Sequence, residues 1–131
     1  KFATPGVNIG LFCSTPMVAL SRNVSKKEAM KMLLTGDMID AVEAKRISLI
    51  NDYVSEDKLE ESVNNLANKI SKKSLMTIKI GKEAFYKQYD MSLSDAYEYT
   101  SMVMAQNTLK DDAKEGISSF IEKRDPNWKD N

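Results

Sequence analysis

The sequence predicts a mainly α-helical chain with little β structure, and three observations lead to that prediction. Only five glycines and three prolines occur in 131 residues, so few positions interrupt helices. Apolar residues recur at intervals of three and four along most of the chain, which is the spacing of one helix face. Serine and aspartate, which favour helix N-termini, precede several of these stretches. The 42% of hydrophobic residues is enough for a real core in a chain of this length.

The sequence predicts that the chain starts in the last residues of a strand and continues into a loop and a first helix. Pro5 and Gly6 interrupt the first ten residues, so this stretch is expected to leave a strand and turn. The helix that follows is expected to start at Pro16, because proline is favoured in the first turn of a helix. The two residues before it, Ser14 and Thr15, are the expected capping residues.

Two further helices are predicted before residue 50. Ser25 is the predicted N-cap of the first of them, and Gly36 is its predicted left-handed residue just past the C-terminus. Asp40 and Glu43 match a capping box, so a short helix is expected from Ala41 to about residue 47.

The remainder of the chain predicts four amphipathic helices. Residues 49–54 form either a short strand or an extended link, and Ser55 is the predicted cap of the clearest helix. Three more amphipathic stretches follow at about 74–88, 92–108 and 111–124. The apolar residues of the clearest helix fall on one face: Leu59, Val63, Leu66 and Ile70.

Composition restricts the chemistry that these residues could perform. The absence of histidine excludes a Ser-His-Asp triad and histidine-bound metal sites built from this chain. The single cysteine, Cys13, excludes an intrachain disulfide and a cysteine zinc cluster, and it fits a reducing compartment. Cys13 is expected to be a small buried apolar residue rather than a nucleophile. No catalytic residue and no metal ligand is predicted in this chain.

Charge and hydropathy restrict the partners. Nineteen basic and nineteen acidic residues balance, whereas nucleic-acid binders normally carry a basic excess, so no nucleic-acid partner is expected. Uninterrupted apolar stretches fall far short of the roughly 20 residues of a membrane span, so no membrane partner is expected either. The first residues lack the apolar segment of a secretory signal. Because the chain begins with Lys1 rather than methionine, it is expected to be a processed or truncated product.

Four segments resemble the enoyl-CoA hydratase (crotonase) superfamily. They are Phe2 to Gly10, Ala29 to Asp37, Ile39 to Lys45 and Glu115 to Arg124. The third segment stands where that family has I-S-A-x-E-A, and the fourth resembles the family's terminal E-G-x-x-A-F-x-E-K-R. Since these matches occur in the family's order, the resemblance covers the whole chain.

The resemblance implies a fold and a division of the chain. The chain is expected to be the C-terminal helical part of a crotonase-like β-β-α spiral fold, with at most one or two short strands. Residues 1–54 would then end the spiral core with its helices, and residues 55–131 would form the helical assembly region. In the family, the preceding half supplies the oxyanion-hole N–H groups and the first catalytic glutamate. This chain alone is therefore predicted to be inactive.

The resemblance also assigns four residues to sites. The family's second catalytic glutamate directly follows a proline, and this sequence has Gly6 there; without the family, Gly6 is an ordinary turn glycine. Gly6 and Phe12 are the expected residues of the substrate pocket. Phe120 and Lys123 match the family's pair that packs on the adenine and contacts a phosphate of coenzyme A. From spacing alone, they are a core phenylalanine beside a solvated lysine on one helix face.

The function that the resemblance implies is the handling of acyl-CoA thioesters in fatty-acid metabolism, as an enoyl-CoA hydratase or isomerase. A catalytically impaired acyl-CoA-binding or regulatory member is one alternative, which Gly6 favours, and a helical oligomerisation module is another. Acyl-CoA is the expected substrate or ligand, with no permanently bound cofactor. The family also implies a trimer or a dimer of trimers, located in the mitochondrial matrix.

Overall fold

The computed structural model describes residues 1–130, and within them the mainly α-helical prediction is confirmed. Two short 3-10 helices, Pro5–Ile9 and Glu56–Lys58, accompany the α-helices. The chain forms two compact units, Lys1–Ser62 and a second unit from Val63 onward. The α-helices are α1 (Ser14–Asn23), α2 (Lys26–Thr35), α3 (Ala41–Arg46), α4 (Leu59–Ser71), α5 (Leu75–Gln88), α6 (Leu93–Thr108) and α7 (Asp111–Glu122).

The first unit surrounds a small apolar core. α2 packs against α1 and against the 3-10 helix Pro5–Ile9. Phe2 and Ile39 form an isolated antiparallel bridge, in which each N–H donates to the other's carbonyl at 2.9 Å. Cys13 lies half-buried against the core, so it is only partly the buried residue that the sequence predicts. The core residues are Leu20, Val24, Ala29, Met32, Leu33 and Ile47.

Local capping explains where α2 and α3 begin and end. Ser25 Oγ accepts a hydrogen bond from Glu28 N–H at 3.3 Å, and Asp40 Oδ1 accepts one from Glu43 N–H at 2.8 Å. Gly36 has φ of 66° and ends α2 in the left-handed conformation. The caps at Ser25, Asp40 and Gly36 are therefore confirmed. The capping box is only half formed among the described residues, because the Glu43 carboxylate accepts from Arg46 instead of from Asp40 N–H.

The predicted start of α1 was wrong by two residues. The helix begins at Ser14, so Ser14 and Thr15 lie inside it and do not cap it. The Ser14 hydroxyl donates to the Phe12 carbonyl at 3.3 Å, and Cys13 is the N-cap residue, whose side chain makes no capping hydrogen bond to α1. Pro16 is tolerated at the third helical position because the first four N–H groups of a helix have no intrahelical acceptor.

The connection between α3 and α4 is a link rather than a strand. Residues 49–51 are bends and residues 52–54 have no regular structure, which decides between the two alternatives left by the sequence. Ser55 precedes the 3-10 helix Glu56–Lys58 and makes no side-chain capping bond, so α4 begins only at Leu59. The predicted role of Ser55 as the cap of α4 was therefore wrong.

The second unit contains three helices that contact one another, α5, α6 and α7. Ser74 Oγ caps α5 by accepting from Thr77 N–H at 3.1 Å, and Ser92 Oγ caps α6 by accepting from Asp95 N–H at 3.3 Å. The bounds of these helices agree with the predicted ranges to within two residues. Few side chains in this unit are buried, and most large apolar ones are exposed.

The amphipathic face predicted for α4 is present and exposed. Its four apolar residues each retain about half of their surface in solvent. A helix with a continuous apolar stripe normally packs that stripe against another surface. In the part of the chain that the structure describes, no helix is long and apolar enough to cross a bilayer.

Candidate functional site

Gly6 lies in the first 3-10 helix, and atoms of the loop that follows occupy the space that a side chain on Gly6 would need. Its N–H donates to Cys13 Sγ at 3.2 Å, and its carbonyl accepts from Leu11 N–H at 3.0 Å. A Cβ built on Gly6 would lie 2.7 Å from Cys13 Sγ and 2.7 Å from the Leu11 carbonyl oxygen. Real Cβ atoms do not approach that closely, so this position admits a glycine and no larger residue unless the loop moves.

Phe12 lies in the loop that closes over Gly6. Its backbone carbonyl accepts from Ser14 N–H at 2.7 Å, while its ring is exposed. The structure thus places the two predicted pocket residues in adjoining segments, Gly6 in the 3-10 helix and Phe12 in the loop that follows it. Their assignment to a substrate pocket stays a prediction.

Phe120 and Lys123 lie at the C-terminal end of α7, in the second unit. Phe120 is 85% exposed, so the alternative that made it a core residue is wrong for the described chain. Lys123 is the C-cap residue of α7 and has the left-handed φ of 55°. The structure therefore places an accessible aromatic ring on the last turn of α7, three residues before the lysine that ends the helix.

An open apolar groove of about 700 Å³ lies beside Phe120. α5 contributes Ile78 to its wall, α7 contributes Ile117, and the C-terminal segment contributes the indole of Trp128. The Asn107 side-chain oxygen is buried at this groove and has no hydrogen-bond partner among the described residues. The apolar surface at this position therefore extends beyond the ring of Phe120.

An ion-pair network holds the turn that follows α7. Arg124 donates to both carboxylate oxygens of Glu115, at 2.5 and 3.0 Å, and to Glu122 at 2.6 Å. Asn127 N–H also donates to Glu115, at 2.7 Å. The hydrogen bonds from Arg124, and secondarily from Asn127, lower the pKa of Glu115 to about 2. Glu115 therefore remains ionised at any ordinary pH.

A second carboxylate, Asp112, anchors the C-terminal segment. Asp112 is only 2% exposed and accepts from the backbone N–H groups of Lys129, at 2.7 Å, and Asp130, at 3.1 Å. A hydrogen bond from Ser74 and these backbone bonds lower the pKa of Asp112, against the opposing effect of burial. Trp128 Nε1 donates to the Lys72 carbonyl at 2.8 Å.

Sequence reasoning missed both anchors of the C-terminal segment. The patterns used to predict the helices concern neighbours in sequence, whereas the anchoring hydrogen bonds of Asp112 and Trp128 join residues 17 and 56 positions apart. The available signal was the only tryptophan of the chain, because a large aromatic residue next to a helix end commonly packs against it.

The complete chain, residues 1–131, matches the family model described as enoyl-CoA hydratase/isomerase. The chain belongs to this family. Among curated relatives, the mitochondrial enoyl-CoA hydratase domain-containing protein 3 of Xenopus laevis is 48% identical over 128 residues, which are 98% of this chain and 44% of the relative. The human protein of the same name is 47% identical over 98% of this chain and 42% of the relative.

Solved structures agree with this assignment. An enoyl-CoA hydratase from Mycobacterium smegmatis superimposes with a TM-score of 0.91 at 42% identity, covering 97% of this chain and 49% of that structure. Human enoyl-CoA hydratase domain-containing protein 3 gives 0.89 at 47% identity, covering 97% and 50%. The chain thus spans about half the length of the proteins it matches.

The comparisons confirm the family resemblance carried by the four sequence segments and the fold class derived from it. The segment Phe2 to Leu20 also predicts the branch of domain-containing protein 3, and the relatives confirm that prediction. The roles of Gly6, Phe12, Phe120 and Lys123 stay predictions, as does the division of the chain after residue 54.

Proposed function

We propose that this chain is the C-terminal part of an acyl-CoA-handling protein and that the end of α7 binds coenzyme A. The observation that carries the proposal is the exposed ring of Phe120 on the last turn of α7, which Lys123 ends; the sequence resemblance assigns these two residues to the family's coenzyme A pair. The names of the relatives, which are enoyl-CoA hydratases or proteins containing that domain, support the same ligand class.

Each of the two residues suits one part of coenzyme A. An exposed aromatic face accepts the adenine ring, and base–aromatic stacking contributes about 1–3 kcal/mol in nucleic-acid sites. The ammonium of Lys123 is a mobile point charge suited to a phosphate. A solvent-exposed charge contact contributes less than stacking and weakens with salt.

Within this proposal, the Gly6 position favours acyl-CoA binding without ordinary hydration. Addition of water across a conjugated double bond needs a group that deprotonates water and a group that delivers a proton to carbon. Glycine provides neither, and the surrounding loop fills the space that a carboxylate there would need. Loss of such an acid–base group typically lowers the rate about 10²–10⁴-fold. The impaired, binding or regulatory alternative is therefore preferred to an active hydratase or isomerase.

The test is the affinity of the full-length protein for coenzyme A, measured by calorimetry at low and high salt. Phe120→Ala is expected to weaken binding about 5- to 150-fold, which corresponds to the loss of one stacking contact. Lys123→Ala is expected to weaken it about two- to fivefold and to flatten its salt dependence. Because Phe120 is exposed, its truncation should leave the melting temperature unchanged.

Lys110→Ala is the matched control, since Lys110 is an exposed lysine at the opposite end of α7. It should leave both the affinity and its salt dependence as in the parent. Equal affinity of the parent, Phe120→Ala and Lys123→Ala proteins at low salt would show that the end of α7 does not bind coenzyme A.

Assembly and location follow the family in this proposal. A trimer or a dimer of trimers is supported by the extent of exposed apolar surface, including the stripe on α4. A mitochondrial location is supported by the names of the relatives, and the matrix is the compartment proposed. The alternative of a pure helical oligomerisation module uses the same surfaces but predicts no affinity for coenzyme A.

A further inference from the structure

Two helices of this chain end in the same left-handed conformation with different residues. α2 ends at Gly36, with φ of 66° and ψ of 11°. α7 ends at Lys123, with φ of 55° and ψ of 41°. Glycine is the usual residue at such a position, because in other residues the Cβ atom crowds the following carbonyl. Lysine at this point carries a conformational cost that glycine would avoid.

Hydrogen bonds on both sides of Lys123 maintain this conformation. Its own N–H donates to the Phe120 carbonyl at 3.3 Å. The N–H of the next residue, Arg124, donates to the Ser119 carbonyl at 3.0 Å. The left-handed turn therefore ends α7 at Lys123 and fixes the direction in which its Cα–Cβ bond leaves the backbone.

The side chain of Arg124 ties this turn back onto α7. Its guanidinium makes a two-point contact with Glu115, which lies two turns earlier on the same helix. Glu115 also accepts from Asn127 N–H, so one carboxylate holds the chain at two places after Lys123. Residues kept in unfavourable backbone regions persist where the surroundings fix them, and such residues are concentrated at functional sites.

We propose that Glu115 and Arg124 are positioning residues, which hold the left-handed turn at Lys123 and thereby direct its ammonium to a phosphate of coenzyme A stacked on Phe120. The proposal rests on the contact between Lys123 and coenzyme A proposed above. The proposal explains why lysine stands at position 123 despite its conformational cost, since glycine there would remove both that cost and the ammonium group.

The experiment is a double-mutant cycle in the full-length protein with coenzyme A as the probe. Lys123→Ala and Glu115→Gln are each expected to weaken binding about two- to fivefold and to flatten its salt dependence. The double variant is expected to bind as Lys123→Ala does, because Glu115 acts only through the lysine. A purely structural role of Glu115 would lower the melting temperature without changing the salt dependence of binding.

Three further variants make the test decisive. Arg124→Lys keeps the charge and loses the two-point contact, so it should weaken binding and flatten the salt dependence as Glu115→Gln does. It provides the same test in case Glu115→Gln folds poorly. Lys123→Gly should raise the melting temperature while it weakens binding as Lys123→Ala does. Asp111→Asn, which removes an exposed carboxylate paired with Lys114 on the same helix, should change neither quantity.

Two results would overturn the proposal, and they have different meanings. If Lys123→Ala weakens binding while Glu115→Gln and Arg124→Lys bind with the parent's affinity and salt dependence, the two residues do not position the lysine. If Lys123→Ala itself binds as the parent does, the proposed coenzyme A contact fails, and the positioning role fails with it.

Discussion

The site around Gly6 has no room for a side chain, not even for a single Cβ atom. The Cys13 thiol and the Leu11 carbonyl occupy the volume that a Cβ would need. The consequence extends to engineering, because a Gly6→Glu variant would have to displace this loop before its carboxylate could reach a substrate. We therefore expect that substitution alone to restore no hydratase activity.

Gly6→Ala is expected to destabilise the full-length protein by about 1–3 kcal/mol, which is the usual cost of overpacking a filled site. Gly81→Ala is the matched control, since nothing lies within 4 Å of a Cβ built at that position in the middle of α5. That control should stabilise the protein by about 0.5–1 kcal/mol. Thermal unfolding of the two variants measures both effects, and equal melting temperatures would contradict the tight contact at Gly6.

The lowered pKa of Glu115 predicts a pH dependence of stability. The folded value of about 2 lies below the value of roughly 4.3 for an unfolded chain. The ionised carboxylate therefore stabilises the folded state above about pH 4.5, and this contribution is lost as the pH falls toward 2. The melting temperature of the parent should exceed that of Glu115→Gln at pH 7, and the gap should narrow below about pH 4.5. A gap that is constant from pH 7 to pH 3 would contradict the prediction.

Among individual residues, the sequence identified those whose role is local. Ser25 and Asp40 act within three residues of themselves, so their caps were predictable. The contact between Glu115 and Arg124 was not, although both residues belong to the quoted terminal motif. Nine positions separate them, and only the turn at Lys123 brings the guanidinium back to the carboxylate.

At the scale of elements, α7 and the segment after it behave as one piece. Asp112, at the first turn of α7, accepts from two backbone N–H groups of that segment. Asp130 joins the segment to α5 by accepting from Leu75 N–H at 2.7 Å. This bond joins residues 55 positions apart, and the bond from Trp128 Nε1 to the Lys72 carbonyl joins residues 56 positions apart. No local pattern encodes such pairs, which is why the sequence left this segment without a structural role.

Asp112→Ala is expected to release the C-terminal segment from α7. Because Trp128 is the only tryptophan of residues 1–131 and lies in that segment, the fluorescence emission of this indole should shift to longer wavelength as it enters water. The adjacent exposed residue provides the control, and Asp111→Ala should leave the emission unchanged. Emission of the Asp112→Ala protein identical to that of the parent would show that other contacts suffice to hold the segment.

At the scale of the whole molecule, the exposed apolar surface is the main feature that the described residues leave unexplained. The periodicity of α4 predicted an apolar face correctly, and the structure leaves that face about half exposed. Periodicity determines which side of a helix is apolar, but the surface that covers it is set by residues elsewhere. Fold class was therefore predictable from this sequence, whereas the surface that covers the α4 stripe was not.

Self-association is the expected consequence of these surfaces in the full-length protein. Closed rings of identical subunits are the usual outcome, and threefold symmetry is the state expected from the family. Light scattering at micromolar concentration measures the mass of the particle directly. A charge placed in the α4 stripe, as in Leu66→Glu, should shift the protein toward smaller species if the stripe lies in an interface. A monodisperse monomer of the parent would contradict the expectation.

The bridge between Phe2 and Ile39 has a consequence for the order in which the first unit forms. Thirty-seven positions separate the two residues, so closing this loop in an unfolded chain is entropically costly for only two hydrogen bonds. α1 and α2 need only contacts near in sequence, and once they are formed the two ends of the loop are already close. The bridge is therefore expected to form after these helices, and the amide protons of Phe2 and Ile39 should exchange with deuterated water at a common rate, as partners in a single opening event.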